Sequence, residues 1–202
     1  MKSISRYTLN TSFVLFLFLL FTGFRPDSSH EGKSENSEQT IQWNEQRKLD
    51  WRDFRATKKP NGKVAAAIST CGFGFEATEE NRRLVELQIY VQFYPEKSWK
   101  NPEHQTETVL AHEQIHFDIT ELMGRRLYQE ILEMKQKGKL NQRIIKKTYD
   151  RLEKEHGEMQ NLYDKQTRHS LNIKLQSWWA NYISSELIKS AAFSDYHQLK
   201  MD

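Results

Sequence analysis

The residues best suited to chemistry lie in one stretch, Ala111-His112-Glu113-Gln114-Ile115-His116-Phe117-Asp118-Ile119-Thr120. His112 and His116 are spaced so that an α-helix brings them to the same face, one turn apart. Two imidazoles placed that way can grip one metal ion. Glu113 lies on the adjoining surface, where it can take a proton from a water on the ion rather than bind the ion itself. This is the H-E-x-x-H arrangement of zinc hydrolases.

A catalytic zinc keeps three protein ligands and one open position, so a third ligand must be found. The carboxylates nearest in sequence are turned away: on a helix Glu121 is about 180° from His112 and Asp118 about 200° from His116. Both are expected as supporting or surface groups. Among later residues His169 is the first choice, because a loop after the second predicted helix can fold back over the first. Asp164 and Glu158 follow, since a carboxylate on a facing helix would also complete a tetrahedral shell. If Asp164 is not a ligand, it could orient a metal-bound imidazole. Tyr163 is a candidate donor to the oxyanion of acyl transfer, with core packing as its other reading. His104, His156 and His197 read as ordinary histidines. In such a site zinc lowers the pKa of water toward about 7. Glu113 would serve as general base and then return the proton to the leaving amine.

The elements that must position these residues are legible from periodicity. Val109, His112, His116, Ile119, Met123, Leu127 and Ile131 fall near one helical stripe, predicting a helix from about Glu103 or Thr106 to Lys137, closed by Gly138. The histidines thus point where the apolar residues point. A second helix is expected over 141–166 and a third from about Leu171 or Asn172 to Ile188, with Trp178 and Trp179 in the core. Before the motif, Arg83 to Tyr94 alternates, with Val85, Leu87, Ile89, Val91 and Phe93 on one face, the pattern of a half-buried antiparallel strand. Val64 to Thr78 also reads as a strand, with Gly72 and Gly74 allowing a bulge or a close approach by another backbone. Ile41-Gln42-Trp43-Asn44 reads as a short strand, and Leu49, Trp51 and Phe54 as anchors. The fold class is therefore α+β: a small antiparallel sheet in the N-terminal half, then about three helices, with the motif on the first long one.

The chain has 202 residues and a formal charge of +3 with both signs interleaved, which does not call for a nucleic-acid partner. Lys2 and Arg6 precede the apolar run Phe13 to Phe21, the pattern of a secretory signal peptide over residues 1–24 and too short for a membrane span. Residues 25–39 are polar and read as a flexible linker, leaving 40–202 as a single domain. The expected location is exported, periplasmic or extracellular, with no membrane association once the signal is removed. Cys71 is the sole cysteine and reads as a small buried hydrophobe rather than a nucleophile.

With these residues in place, the chain resembles the DUF922 family of predicted secreted bacterial zinc-dependent proteases. The resemblance runs through Leu49-Asp50-Trp51-Arg52-Asp53-Phe54, the Trp99 stretch, Ala111 to Ile119, and Met159-Gln160-Asn161-Leu162-Tyr163-Asp164 with Thr167-Arg168-His169. It implies a zincin-like metallopeptidase acting on a peptide or protein substrate, and gives neither the substrate nor the third ligand. The competing readings are a zinc amidohydrolase of cell-wall amides and a non-catalytic, metal-stabilised binding protein.

Overall fold

The computed structural model describes residues 4–9, 39–59, 65–81, 83–197 and 199–200. Among these residues, seven strands and three α-helices follow in chain order: β1 Ile4–Leu9, β2 Ile41–Gln42, β3 Ala67–Ile68, β4 Cys71–Glu80, β5 Arg83–Phe93, β6 Trp99–Lys100, α1 Glu107–Gln136, α2 Gln142–Thr167, α3 Ile173–Lys189 and β7 Leu199–Lys200. The expected α+β class is what the chain adopts. β4 and β5 form the central hairpin of an antiparallel sheet ordered β1-β4-β5-β2, with β7 also pairing β5. β3 and β6 make a separate two-stranded ribbon.

The alternation of β5 places Leu87, Ile89, Val91 and Phe93 on one face, opposite Phe73, Phe75 and Ala77 of β4, and all seven are buried. That face is covered by Val109, Phe117, Met123, Leu127 and Ile131 of α1 and by Ile145, Tyr149 and Leu152 of α2. A second apolar cluster joins Ile115, Ile119 and Leu122 of α1 to Tyr163 of α2 and to Trp179 and Ile183 of α3. α1 is therefore packed between the sheet and α3, and its central turns are buried nearly all round rather than along the single stripe expected.

Each helix starts on a side-chain cap: Thr106 Oγ1 accepts from Val109 N, Asn141 Oδ1 from Ile144 N, and Asn172 Oδ1 from Leu175 N. Gly138 follows α1 with φ of 64°, the left-handed conformation that glycine tolerates. The anchors Leu49 and Phe54 are buried, while Trp51 is half-buried. Trp179 lies in the core, but Trp178 is exposed, stacked on Tyr182, because α3 has one neighbour face only. Of the expected signal segment, the strand Ile4–Leu9 pairs with β4, and the apolar run Phe13–Phe21 and the linker 25–38 lie outside the described residues. Among the described residues, no helix is long and apolar enough to cross a membrane.

Candidate metal centre

α1 and α2 pack side by side and bring three ligand-type side chains together: His112 and His116 from α1 and Asp164 from α2. His116 Nε2 is 3.2 Å from His112 Nε2, and each of them is 3.1 Å from Asp164 Oδ1. For bonds of 2.0–2.1 Å, two corners of a tetrahedron are about 3.3 Å apart. The triangle of donor atoms therefore has nearly the dimensions of one face of a tetrahedral zinc site. Two nitrogens and one carboxylate oxygen are also a donor set that zinc accepts.

The electrostatics of the cluster differ from residue to residue. Burial pushes the His112 imidazole pKa down, and its hydrogen bond to Asp164 only partly offsets this. Burial acts on His116 in the same direction, but its hydrogen bond to the Asp164 carboxylate and that charge outweigh it and raise its pKa to about 9. Asp164 is the complement: burial favours its neutral form, yet hydrogen bonds from both histidines hold its carboxyl well below the usual carboxylate range. The carboxylate and His116 thus form an ion pair, and a metal ion bound there would displace the proton that His116 carries.

Glu113 is buried beside the pair, and its Oε2 accepts a hydrogen bond from Ser69 N at 2.8 Å. Ser69 follows β3, so the β3–β6 ribbon sets the position of this carboxylate. It is not one of the three ligand-type residues, as the helix geometry required.

The structure separates the other expected site residues. His169 is not in the triangle; it lies one step outward, with Nδ1 3.3 Å from Asp164 Oδ1. It is placed there by an unusual α2 terminus, in which Arg168, His169 and Ser170 all have positive φ, of 52°, 52° and 73°. Asp164, the next choice from sequence, takes the position nearest both histidines. Glu158 is exposed on the outer side of α2 and pairs with Lys154. Tyr163 does not offer its hydroxyl to a substrate. It is fully buried, donates to the His112 carbonyl at 3.3 Å, and stacks on the His112 ring with centroids 4.6 Å apart. Its role as an oxyanion donor is therefore replaced by that of a packed aromatic that supports His112. Side-chain exposure rises from 4% at His112 and 13% at His116 to 31% at Asp164 and 62% at His169, so the cluster opens toward solvent on the α2 side.

Asp118 and Glu121 have anchoring roles. Asp118 Oδ1 accepts from Trp43 Nε1 at 2.7 Å and from Gln114 Nε2 at 2.8 Å, while Gln114 Oε1 accepts from Leu49 N. Glu121 is buried in an ion pair with Arg125 at 2.7 Å and accepts from Tyr196.

Behind His116 lies a polar group that sequence reasoning does not assemble, although it reads His156 and Cys71 singly: Gln160 and His156 of α2, Thr120 of α1 and Cys71 of β4. Gln160 contacts His116 Nδ1, Thr120 Oγ1 is 2.9 Å from His156 Nε2, and Cys71 Sγ is 3.0 Å from Thr120 Oγ1. Cys71 is buried as expected, and burial pushes its thiol up to about 12, so it stays protonated. A signal for the group existed in the sequence. His156, Gln160, Tyr163 and Thr167 recur at helical spacing on the buried face of α2, with Asp164 at its edge.

Residues 94–170 match a family model. It is DUF922, described as a bacterial protein of unknown function. The matched stretch begins just after β5, takes in α1 and α2, and closes on the turn that carries His169, so it contains every side chain of the triangle together with Glu113 and Gln160. No curated protein and no solved structure matches the chain.

Proposed function

We propose that this protein is an exported zinc-dependent hydrolase of peptide bonds, with His112, His116 and Asp164 holding the ion and Glu113 acting as general base. The observation that carries the reading is the triangle of donor atoms, sized for a tetrahedral ion, with an acid next to it on the same helix that is not needed as a ligand. When bound, zinc lowers the pKa of water toward about 7 and polarises the carbonyl under attack. Glu113 is held through Oε2 by the Ser69 N–H, which leaves Oε1 to take the proton of the attacking water and return it to the leaving amine. Tyr163 and the α1–α2 packing keep the His112 ring in place while the Asp164 side stays open to a peptide or protein substrate. His169, on the exposed rim, steadies the Asp164 carboxylate from outside. Export rests on the charged and apolar pattern of residues 1–24.

Metal analysis of the purified chain, combined with digestion of a peptide library and of peptidoglycan fragments, tests this. The expected outcome is one zinc per chain, peptide cleavage by the native protein, and full zinc with no cleavage in Glu113→Gln. Absence of zinc, or undiminished hydrolysis by Glu113→Gln, would overturn the reading. Cleavage of peptidoglycan alone would reassign the bond to a cell-wall amide.

A further inference from the structure

We propose that Gln160 is the positioning residue of the metal centre: its amide clamps His116 by both ring and backbone and so fixes Nε2 as the atom offered to the ion. The inference rests on the zinc reading of the site. One atom of the Gln160 amide lies 2.5 Å from His116 Nδ1. The other lies 2.9 Å from the His116 carbonyl oxygen, 2.8 Å from His156 Nε2 and 3.3 Å from Thr120 Oγ1.

Hydrogen-bond accounting settles which amide atom is which. A backbone carbonyl can only accept, so the atom facing the His116 oxygen must be the NH2 group. The carbonyl oxygen of Gln160 then faces His116 Nδ1, which must carry a proton to donate to it. With Nδ1 protonated and engaged, Nε2 is the ring atom left to face His112 and Asp164. The surroundings agree in sense. His156 Nε2 accepts from the amide, and Thr120 Oγ1 lies 2.9 Å from both the His116 oxygen and His156 Nε2, two acceptors that share its single hydrogen. Gln160 is itself buried, so water is not there to replace these contacts.

The two histidines are therefore held differently. His112 Nδ1 is buried without a hydrogen-bond partner among the described residues, and its ring is located by stacking on Tyr163. His116 alone has an oriented partner for its second nitrogen. Loss of a partner of this kind typically lowers metal affinity about 10–100-fold.

Gln160→Met and Gln160→Glu separate positioning from packing. Zinc affinity is read by competition with a chromogenic chelator, fold stability by melting of the metal-free protein, and the His116 Nδ1–H by its hydrogen-bonded, low-field proton resonance in 15N-histidine-labelled protein. Gln160→Met, which fills the space without an acceptor, is expected to lose the resonance and about 10–100-fold in affinity. Gln160→Glu keeps an acceptor for Nδ1 but turns an oxygen toward the His116 carbonyl. It is expected to melt lower yet keep the resonance and near-native zinc affinity. Native affinity in Gln160→Met, or an equal fall in both variants that follows their melting temperatures, would overturn the proposal. If the native chain takes up no zinc, the zinc reading fails. The resonance in the metal-free protein, present in native and absent in Gln160→Met, then still decides whether Gln160 positions His116.

Discussion

One oxygen, Asp164 Oδ1, faces three imidazoles, at 3.1 Å from His112, 3.1 Å from His116 and 3.3 Å from His169. Two of these are buried or nearly so and the third stands in solvent, which divides their roles. Asp164→Ala removes a proposed ligand and is expected to lower zinc affinity by more than the about 100-fold upper range for a supporting residue, whereas His169→Ala should cost about 10-fold. Chelator competition measures both, and equal losses would promote His169 to ligand, as its place in the sequence suggested. His112, Glu113 and His116 were legible because helix periodicity converts spacing directly into geometry. The third member was not, because it depends on how α2 crosses α1 and on a turn with three positive-φ residues, none of them glycine. Each such residue costs of order 1–3 kcal/mol and is set by the surrounding structure rather than by its own type. Ser69 escaped notice for a different reason: it acts through its backbone N–H, which side-chain identity does not encode.

At the scale of elements, β5 was legible because one of its faces is core and the other is not, so the sequence alternates. α1 was legible as a helix but not as an enclosed one. With sheet on one side and α3 on the other, it buries polar residues that a one-stripe reading puts outside, and each of them needs a partner. Glu121 is the clearest: burial raises its carboxyl pKa, and Tyr196 and Arg125 pull it back down. Glu121→Ala leaves Arg125 buried without its counter-charge and is expected to cost about 3–5 kcal/mol in denaturant unfolding. A loss under about 1 kcal/mol would show that the pair is water-accessible. His156, between α2 and β4, makes stability pH-dependent. Burial, reinforced by the charge of His116, lowers its folded pKa to about 3, against an ordinary value near 6.5. Between those values the unfolded chain binds a proton at His156 that the folded chain does not, so the His156 contribution to stability falls as pH drops from about 6.5 toward 3 and is constant above that window. The slope is about 1.4 kcal/mol per pH unit. His156→Gln should flatten the acid limb by that amount, and an unchanged limb would mean that His156 titrates normally in the folded protein.

For the whole molecule, the proposed zinc in the donor triangle would also be a cross-link, because the corners come from α1 and α2, and α1 in turn packs on the sheet and on α3. An ion held there binds the folded chain and not the unfolded one, in which His112 and Asp164 are far apart in sequence. Such a ligand at 100 times its dissociation constant stabilises the fold by about 2.7 kcal/mol. For a chain of this size each kcal/mol is worth about 2–4 °C. Stripping zinc with a chelator is therefore expected to lower the melting temperature by about 5–10 °C, and returning a slight excess of zinc should restore it. His116→Ala should melt at one temperature with or without chelator, near that of the stripped native protein. Glu113→Gln, which keeps the three proposed ligands, should retain the native response to chelation. A native protein whose melting is indifferent to chelator, at a zinc content shown to be stoichiometric beforehand, would place the ion away from the α1–α2 junction and remove the structural basis for Glu113 as its catalytic partner.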